Sequence, residues 1–203
     1  MHHPARAWPR RVVVGALLSG VLVPVACTAA TETRGAYHGG LLEQPVTLPD
    51  MSLARATGGR FETANTRGRL SLFFFGYTIC PDVCPLTMAN VARTRRLLGA
   101  RAAGLDAYFV TVDPDRDTPA RLLEYAAHFD QAIAALTGTP AELASAYAAF
   151  GVVAEKRLVP GSAAGYLMDH TALVYLVDRE SRIRLLFPHG TLPEDMASDI
   201  RRF

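Results

Sequence analysis

The sequence is poor in several features that would narrow the class of the protein. Among its 203 residues are three cysteines, one tryptophan and a single lysine, Lys156. The net charge is only +2 and no basic stripe runs along the chain, so we expect no nucleic-acid partner. No internal repeat is present. Half of the residues are apolar and a fifth are charged, which is typical of a globular protein rather than a disordered one.

A membrane span of ordinary length is also missing. The apolar run VVVGALLSGVLVPVA, ending at Ala26, has about 15 residues, whereas a span needs about 20. Arg10 and Arg11 precede the run and Cys27 follows it directly, which is typical of an export signal and resembles a lipoprotein cleavage site. Residues 1–27 are therefore predicted to be a signal peptide with lipidation at Cys27, a retained membrane anchor, or a simple cleaved signal. Each would place the rest of the chain at the extracytoplasmic face of a bacterial membrane, in an oxidising compartment.

The remainder of the chain divides into a short linker and one domain. Residues 28–44 are small, polar and glycine-containing, so we expect a flexible tether between the anchor and the domain. Residues 45–203 are predicted to form the folded domain.

Within that domain, strand and helix patterns alternate. Leu70–Phe75 is a mostly apolar run, as expected of a strand covered on both faces. Thr118-Pro119 and the capping boxes Thr139–Glu142 and Thr191–Glu194 predict helix starts. Pro160-Gly161 indicates a β-hairpin insertion, and two further strands with a last helix follow. This order predicts an α/β, thioredoxin-like sandwich with a β-hairpin insertion.

Two cysteines, Cys80 and Cys84, follow the first central strand in the sequence CPDVC. Residues four apart in a helical turn share a face, and a helix N-terminus favours thiolate over thiol. Pro81 and Pro85 disfavour a regular helix through both cysteines, so we expect an exposed turn and a helix that begins near Pro85.

The residues alone leave three interpretations of the pair open: a disulfide, a redox catalyst or two metal ligands. A bridge over so short a loop removes little chain entropy, so a purely structural disulfide explains the spacing poorly. Soft thiolates select Cu(I), zinc or iron–sulfur clusters, but two cysteines need a further ligand to complete a metal site.

Three motifs resemble the Sco/SenC family in the right order: FFFGYTICPDVCPLTM, VTVDPDRDTP and MDHTALVYLVD. The resemblance covers roughly residues 45–203. It implies a copper-binding, thioredoxin-like protein that helps to assemble the dinuclear copper centre of cytochrome c oxidase. It also implies one copper ion, Cu(I) or Cu(II), held by Cys80, Cys84 and His170. Ile79 stands where relatives often have histidine, but that position is not one of the three ligands.

His170 is also a candidate ligand from the residues alone, and its rivals are weaker. His170 precedes the apolar run TALVYLV, which places it at the mouth of a strand, where its imidazole would complete a site of two sulfurs and one nitrogen. Asp113 ends a predicted strand and either orients His170 from outside the ligand set or caps the following turn. His128 and His189 are expected at surface positions, and Met168 is expected to serve packing.

Two functions remain. The first is a copper metallochaperone that passes copper to the copper-receiving subunit of cytochrome c oxidase and exchanges with other copper chaperones or thiol reductants. The alternative is an extracytoplasmic thiol–disulfide oxidoreductase, with a redox disulfide between Cys80 and Cys84, that keeps the target's cysteines reduced. A peroxiredoxin-like peroxidase would have no need of His170. We expect a carrier rather than an enzyme, with thiol–disulfide reduction as an accessory activity, and copper loading that requires reduced thiols.

Overall fold

The computed structural model describes residues 36–161 and 164–203. The predicted export segment 1–27, with Cys27, and the first part of the predicted tether lie outside the described residues. Among the described residues, none of the helices combines the length and the hydrophobicity that a bilayer crossing requires.

The described residues form strands and helices that alternate through most of the domain. The strands are β1 Gly40–Thr47, β2 Ser52–Arg55, β3 Arg60–Glu62, β4 Leu70–Gly76, β5 Leu105–Thr111, β6 Ile133–Thr137, β7 Ala154–Leu158, β8 Tyr166–His170, β9 Leu173–Val177 and β10 Arg182–Pro188. The α-helices are α1 Val83–Leu98, α2 Pro119–Phe129, α3 Pro140–Phe150 and α4 Pro193–Ile200. Short 3₁₀ segments cover Thr63–Thr66 and Gly99–Gly104.

The main sheet has the strand order β1-β10-β9-β4-β5-β6-β2-β3, and β7 pairs with β8 in a separate hairpin. Strands β4, β5 and β6 are parallel, whereas the neighbouring pairs are antiparallel. Helices α1 and α4 pack on each other beside this sheet. The architecture confirms the predicted α/β sandwich, and the hairpin lies where Pro160-Gly161 predicted it.

The central strand β4 is buried along its whole length and contributes to both faces of the sheet. Phe73 and Phe75 pack on Phe150 at the end of α3, with ring centroids 4.9 and 5.0 Å apart. Phe74 points to the opposite face, as alternation along a strand requires, and packs on Phe109. The last residue of β4, Gly76, shares that second face, where the cysteine pair lies.

The predicted tether boundary is wrong for residues 36–44. Strand β1 begins at Gly40 and pairs with β10, and the backbone N–H groups of His38 and Gly39 each donate to Asp199 Oδ2 over 2.9 Å. Most of β1 is solvent-exposed, so its sequence lacks the apolar periodicity that marks a strand. An edge strand that is held by backbone hydrogen bonds is therefore hard to detect from its residue types.

The helix-start predictions had mixed outcomes. Thr118 caps α2, and Thr139 with Glu142 forms the predicted capping box of α3. The box predicted at Thr191–Glu194 is wrong, because Leu192 occupies the N-cap of α4 and makes no side-chain cap bond. The Thr191 hydroxyl instead donates to the Pro188 carbonyl over 2.7 Å, which closes the preceding turn.

Candidate metal centre

Helix α1 begins at Val83 rather than near Pro85, so Cys84 lies in its first turn. Pro85 is tolerated because the first N–H groups of a helix have no intrahelical acceptor, and its missing N–H therefore costs no hydrogen bond. Cys80 lies in the bend before the helix and is half-buried, whereas Cys84 is completely buried. The expectation that the whole CPDVC turn is exposed is therefore wrong for Cys84.

Cys84 is buried against the end of strand β4. A Cβ atom placed on Gly76 would lie 3.0 Å from Cys84 Sγ and 2.9 Å from the Phe109 ring. Contacts this short leave no room for a side chain. Glycine at the end of β4 therefore allows α1 to bring its first turn, with Cys84, against the sheet.

We expect Gly76→Ala to destabilise the reduced domain by about 1–3 kcal/mol, because the added methyl group must displace a ring or the sulfur of Cys84. Urea unfolding monitored by circular dichroism measures the change. Gly104→Ala is the matched control, since a Cβ atom there meets nothing within 4 Å. Equal stability of the two variants would contradict the close packing of Cys84 on Gly76.

His170 is the last residue of the hairpin strand β8, rather than lying at the mouth of the main-sheet strand β9. Its Nε2 atom is 3.4 Å from Cys84 Sγ, and its ring packs edge-on against Tyr77 at a centroid distance of 5.8 Å. Its Nδ1 atom is 3.2 Å from the Thr171 carbonyl oxygen. The tautomer with the proton on Nδ1 donates to that carbonyl and leaves a lone pair on Nε2 facing the sulfurs.

The structure brings Cys80, Cys84 and His170 together from two separate elements. The sulfur atoms and one imidazole nitrogen all lie within 4.8 Å of one another. Metal–ligand distances of about 2.0–2.3 Å, as found for zinc with nitrogen and sulfur ligands, allow ligand atoms about 4.6 Å apart at most. A small closure would thus bring all three atoms onto one ion, and this donor set suits a soft metal such as Cu(I).

The two thiols differ strongly in acidity. The Cys84 thiol donates a hydrogen bond to Cys80, which lowers the pKa of Cys80 to about 4 despite partial burial. The same bond, together with burial, raises the pKa of Cys84 far above its usual range. The Cys84 backbone N–H also donates to Cys80 Sγ over 3.4 Å. The reduced pair therefore carries one thiolate, on the more accessible sulfur, at neutral pH.

Asp113 binds the hairpin that carries His170, through the Tyr166 hydroxyl. Its buried carboxylate accepts from Arg116 Nε over 2.5 Å and from the Tyr166 hydroxyl over 2.8 Å. Arg116 Nη1 also donates to the backbone oxygens of Ala164 and Tyr166, each over 3.0 Å. Asp113 and Arg116 together hold the start of β8, four residues before His170.

Sequence reasoning missed Asp117, which supports the loop leading into the cysteine pair. Its buried carboxylate accepts from the Thr78 hydroxyl over 2.5 Å, from the Thr78 backbone N–H, and from the Thr111 hydroxyl over 2.6 Å. Burial raises the pKa of Asp117 in spite of these bonds. Its place in VTVDPDRDTP, just beyond the end of β5, was the available signal, because β4 and β5 are parallel and end side by side.

The other candidate residues stay outside the cluster. His128 and His189 are exposed, and His189 Nδ1 lies 3.2 Å from the Thr87 hydroxyl. Met168 is half-buried and packs against the core, as expected. Within the two described ranges, Cys80, Cys84 and His170 are the one group of this kind that could hold a metal ion.

Comparison with known proteins gives the family. The family model described as SCO1/SenC matches residues 41–203. The chain belongs to the SCO1/SenC family. As a SCO1/SenC protein it is 31% identical to Protein SenC of Rhodobacter capsulatus, over 95% of this chain and 85% of the relative. It is also 30% identical to the SCO2-like protein RC0895 of Rickettsia conorii, over 75% of this chain and 74% of the relative.

Solved structures confirm the fold of this SCO1/SenC domain. ScoI of Bradyrhizobium japonicum with copper bound is 38% identical, with a TM-score of 0.70, over 77% of this chain and 99% of that chain. Yeast Sco1 with copper bound is 29% identical, with a TM-score of 0.69, over 78% of this chain and 88% of that chain. The resemblance seen in the sequence motifs therefore extends to the fold over about three quarters of this chain.

Proposed function

We propose that this SCO1/SenC protein is a copper metallochaperone that carries one copper ion on Cys80, Cys84 and His170. The observation that carries the proposal is the convergence of two sulfur atoms and one imidazole nitrogen within 4.8 Å. Thiolates favour Cu(I), and imidazole accommodates copper in either oxidation state. The copper-bound structures of ScoI and yeast Sco1 support the same choice of metal.

A carrier must also release its cargo, and the accessibility of the ligands suits that task. Three protein ligands leave copper open to a further ligand from a recipient. Half-buried Cys80 lies at the rim, whereas Cys84 is buried, so an incoming thiolate meets Cys80 first. We propose the copper-receiving subunit of cytochrome c oxidase, with its dinuclear copper centre, as recipient, and other copper chaperones or thiol reductants as exchange partners.

The proposed location follows from the export pattern of residues 1–27. The domain would work at the extracytoplasmic face of a bacterial cell membrane, attached through lipidated Cys27 or a retained anchor. Copper delivery to a membrane-bound oxidase requires such proximity, and the oxidising compartment would let Cys80 and Cys84 close into a disulfide between rounds.

The acidity of Cys80 favours a second candidate function, thiol–disulfide exchange. A thiolate at neutral pH can attack a disulfide of the target, and the sulfur of Cys84 can then displace the target's thiolate. In the balanced reaction the target disulfide gains two electrons and two protons and becomes two thiols. The Cys80 thiolate and the Cys84 thiol lose two electrons and one proton and form a disulfide, and the second proton of the product thiols comes from water. An external thiol reductant must reduce this disulfide again.

One sample can test both functions. The fragment 36–203 is suitable because it includes β1. The ScoI chain is matched over 99% of its length by 77% of this chain, so a domain of this fold is stable without the remaining residues. We expect the reduced, copper-free fragment to take up one equivalent of Cu(I) in competition with a chromogenic chelator. The fragment oxidised to the disulfide should take up none.

Disulfide reduction is assayed on the same preparation with a model disulfide and a thiol reductant. A carrier should show at most slow turnover. Suppose that the reduced fragment reduces the model disulfide catalytically and leaves all Cu(I) with the chelator. That result would overturn the carrier proposal in favour of the oxidoreductase.

A further inference from the structure

A basic cavity lies at the end of the domain opposite the cysteine pair. It has a volume of about 500 Å³, and four arginines line it: Arg101, Arg179, Arg201 and Arg202. We call these four residues the arginine pole. Apolar side chains complete the lining, among them Leu70, Leu98 and Phe203.

Two elements of the fold separate this cavity from the metal ligands. Leu98, which lines the cavity, ends the 16-residue helix α1 whose first turn holds Cys84, a length of about 24 Å. Leu70, which also lines it, begins the strand whose last residue, Gly76, contacts Cys84, a length of about 20 Å. The arginine pole and the metal centre therefore face opposite directions.

The arginine pole has excess positive charge. Among the described residues, none of its four guanidinium groups pairs with a carboxylate side chain. Arg101 and Arg201 donate instead to the carbonyl oxygens of Arg201 and Leu97, over 3.0 and 2.7 Å, and Arg179 donates to the Phe203 backbone oxygen. A guanidinium group has five N–H donors, so each of these bonds leaves donors free to bind an anion.

Acidic groups in this part of the fold are already engaged. Asp106 pairs with Arg69 over 2.7 Å, and Asp178 pairs with Arg182 and Arg184. Asp199 is buried and accepts from the His38 and Gly39 backbone. These carboxylates are therefore engaged away from the four arginines, which keep an excess of positive charge and favour an external anionic partner.

The chain also enters the domain at this place. Tyr37, the second described residue, packs on Phe203 with ring centroids 5.8 Å apart, and the Arg202 guanidinium lies 3.6 Å from the centroid of the Tyr37 ring. The residues before Tyr37 include the predicted export and anchor segment. The arginine pole therefore lies beside the point where the chain enters the domain.

We propose that the arginine pole docks on the anionic phospholipid headgroups of the membrane that anchors the chain. The inference rests on the anchored location proposed above. Phosphate oxygens are opposite in charge to the guanidinium groups and accept hydrogen bonds from them in a favourable geometry. The apolar lining of the cavity suits the boundary between headgroups and acyl chains. Docking in this orientation directs Cys80, Cys84 and His170 away from the bilayer.

The test uses the copper-free fragment 36–203, so its result is independent of copper binding. We expect co-sedimentation with vesicles of phosphatidylcholine and phosphatidylglycerol, none with pure phosphatidylcholine, and release by added salt. Each basic residue near an anionic surface raises the membrane affinity about fivefold. Replacing Arg101, Arg179 and Arg202 with glutamine should therefore weaken vesicle binding on the order of 100-fold.

A second triple variant, Arg60→Gln, Arg93→Gln and Arg121→Gln, has the same net charge and serves as the matched control. These arginines lie outside the cavity, so this variant should keep most of the binding. Equal losses in the two triple variants would overturn the proposal, as would equal binding of the wild-type fragment to both kinds of vesicle.

Orientation is measured without altering any arginine. The sequence has one tryptophan, Trp8, so the fragment has none, and a new tryptophan is a unique reporter. With vesicles that contain brominated phosphatidylglycerol, Tyr37→Trp fluorescence should be quenched. Leu86→Trp, in the second turn of α1 near the metal centre, should not be. The opposite pattern would show that the other end of the domain meets the membrane and would refute the proposal.

Discussion

Loss of the imidazole in His170→Ala is expected to lower Cu(II) affinity by at least about 100-fold. Loss of an outer-shell partner in a metal site typically costs about 10- to 100-fold, and removal of a ligand itself should exceed that. Cu(I) affinity should fall less, because Cys80 and Cys84 remain and soft thiolates are the preferred ligands of Cu(I). Competition titrations of the fragment 36–203 with chelators specific for each oxidation state measure both losses.

The matched control for this variant is His128→Ala, which removes an exposed imidazole on α2 that lies outside the cluster. This control variant should bind Cu(I) and Cu(II) with the affinities of the wild type. Replacing both cysteines with serine should abolish Cu(I) binding altogether. Unchanged Cu(II) affinity in His170→Ala would mean that His170 is not a ligand, whatever the proximity of its Nε2 atom to Cys84 Sγ.

Removal of the Cys84 thiol should raise the pKa of Cys80, although Cys80 itself is unchanged. In the wild type the pKa of Cys80 is lowered to about 4, so its thiolate persists as the pH falls and is lost only near that value. The largest cause is the hydrogen bond from Cys84, and hydrogen bonds to charged groups are worth about 1.5–3 kcal/mol. We expect Cys84→Ala to move the alkylation midpoint of Cys80 upward by about one to two pH units.

Cys84→Ser separates the hydrogen bond from the other consequences of losing the sulfur. Its hydroxyl is still a donor, so the midpoint should stay closer to the wild-type value than in Cys84→Ala. Carboxamidomethylation rates followed by mass spectrometry over a range of pH give the midpoints. Identical profiles for the serine and alanine variants would show that Cys84 does not stabilise the Cys80 thiolate by hydrogen bonding.

Local sequence signals predicted the parts of the fold that depend on near neighbours in the chain. The apolar run of β4, the capping threonines of α2 and α3 and the glycine-containing hairpin turn are all decided within a few residues. The motif match likewise named Cys80, Cys84 and His170 before their proximity was known. For the strand, the helix caps and the turn, the determinant is contained in one contiguous segment.

The failures involve contacts between distant segments. Burial of Cys84 depends on Gly76 and Phe109, which belong to two neighbouring strands. Strand β1 is held by backbone pairing with β10, which requires no particular side chains. Asp113 points to Tyr166 because of the path of the hairpin, 53 residues along the chain. None of these is written in a local pattern.

The unequal burial of the two cysteines has a consequence for the order of events in copper exchange. The sulfur of Cys84 is enclosed between α1 and the end of β4, so a second protein can contact only Cys80 and the hairpin side of the centre. Loading and unloading would therefore both begin at the sulfur of Cys80. The bond between copper and the sulfur of Cys84 would be the last to break in each exchange. Copper would then stay bound to protein throughout the exchange, and the recipient would need to match the surface around Cys80 and the hairpin.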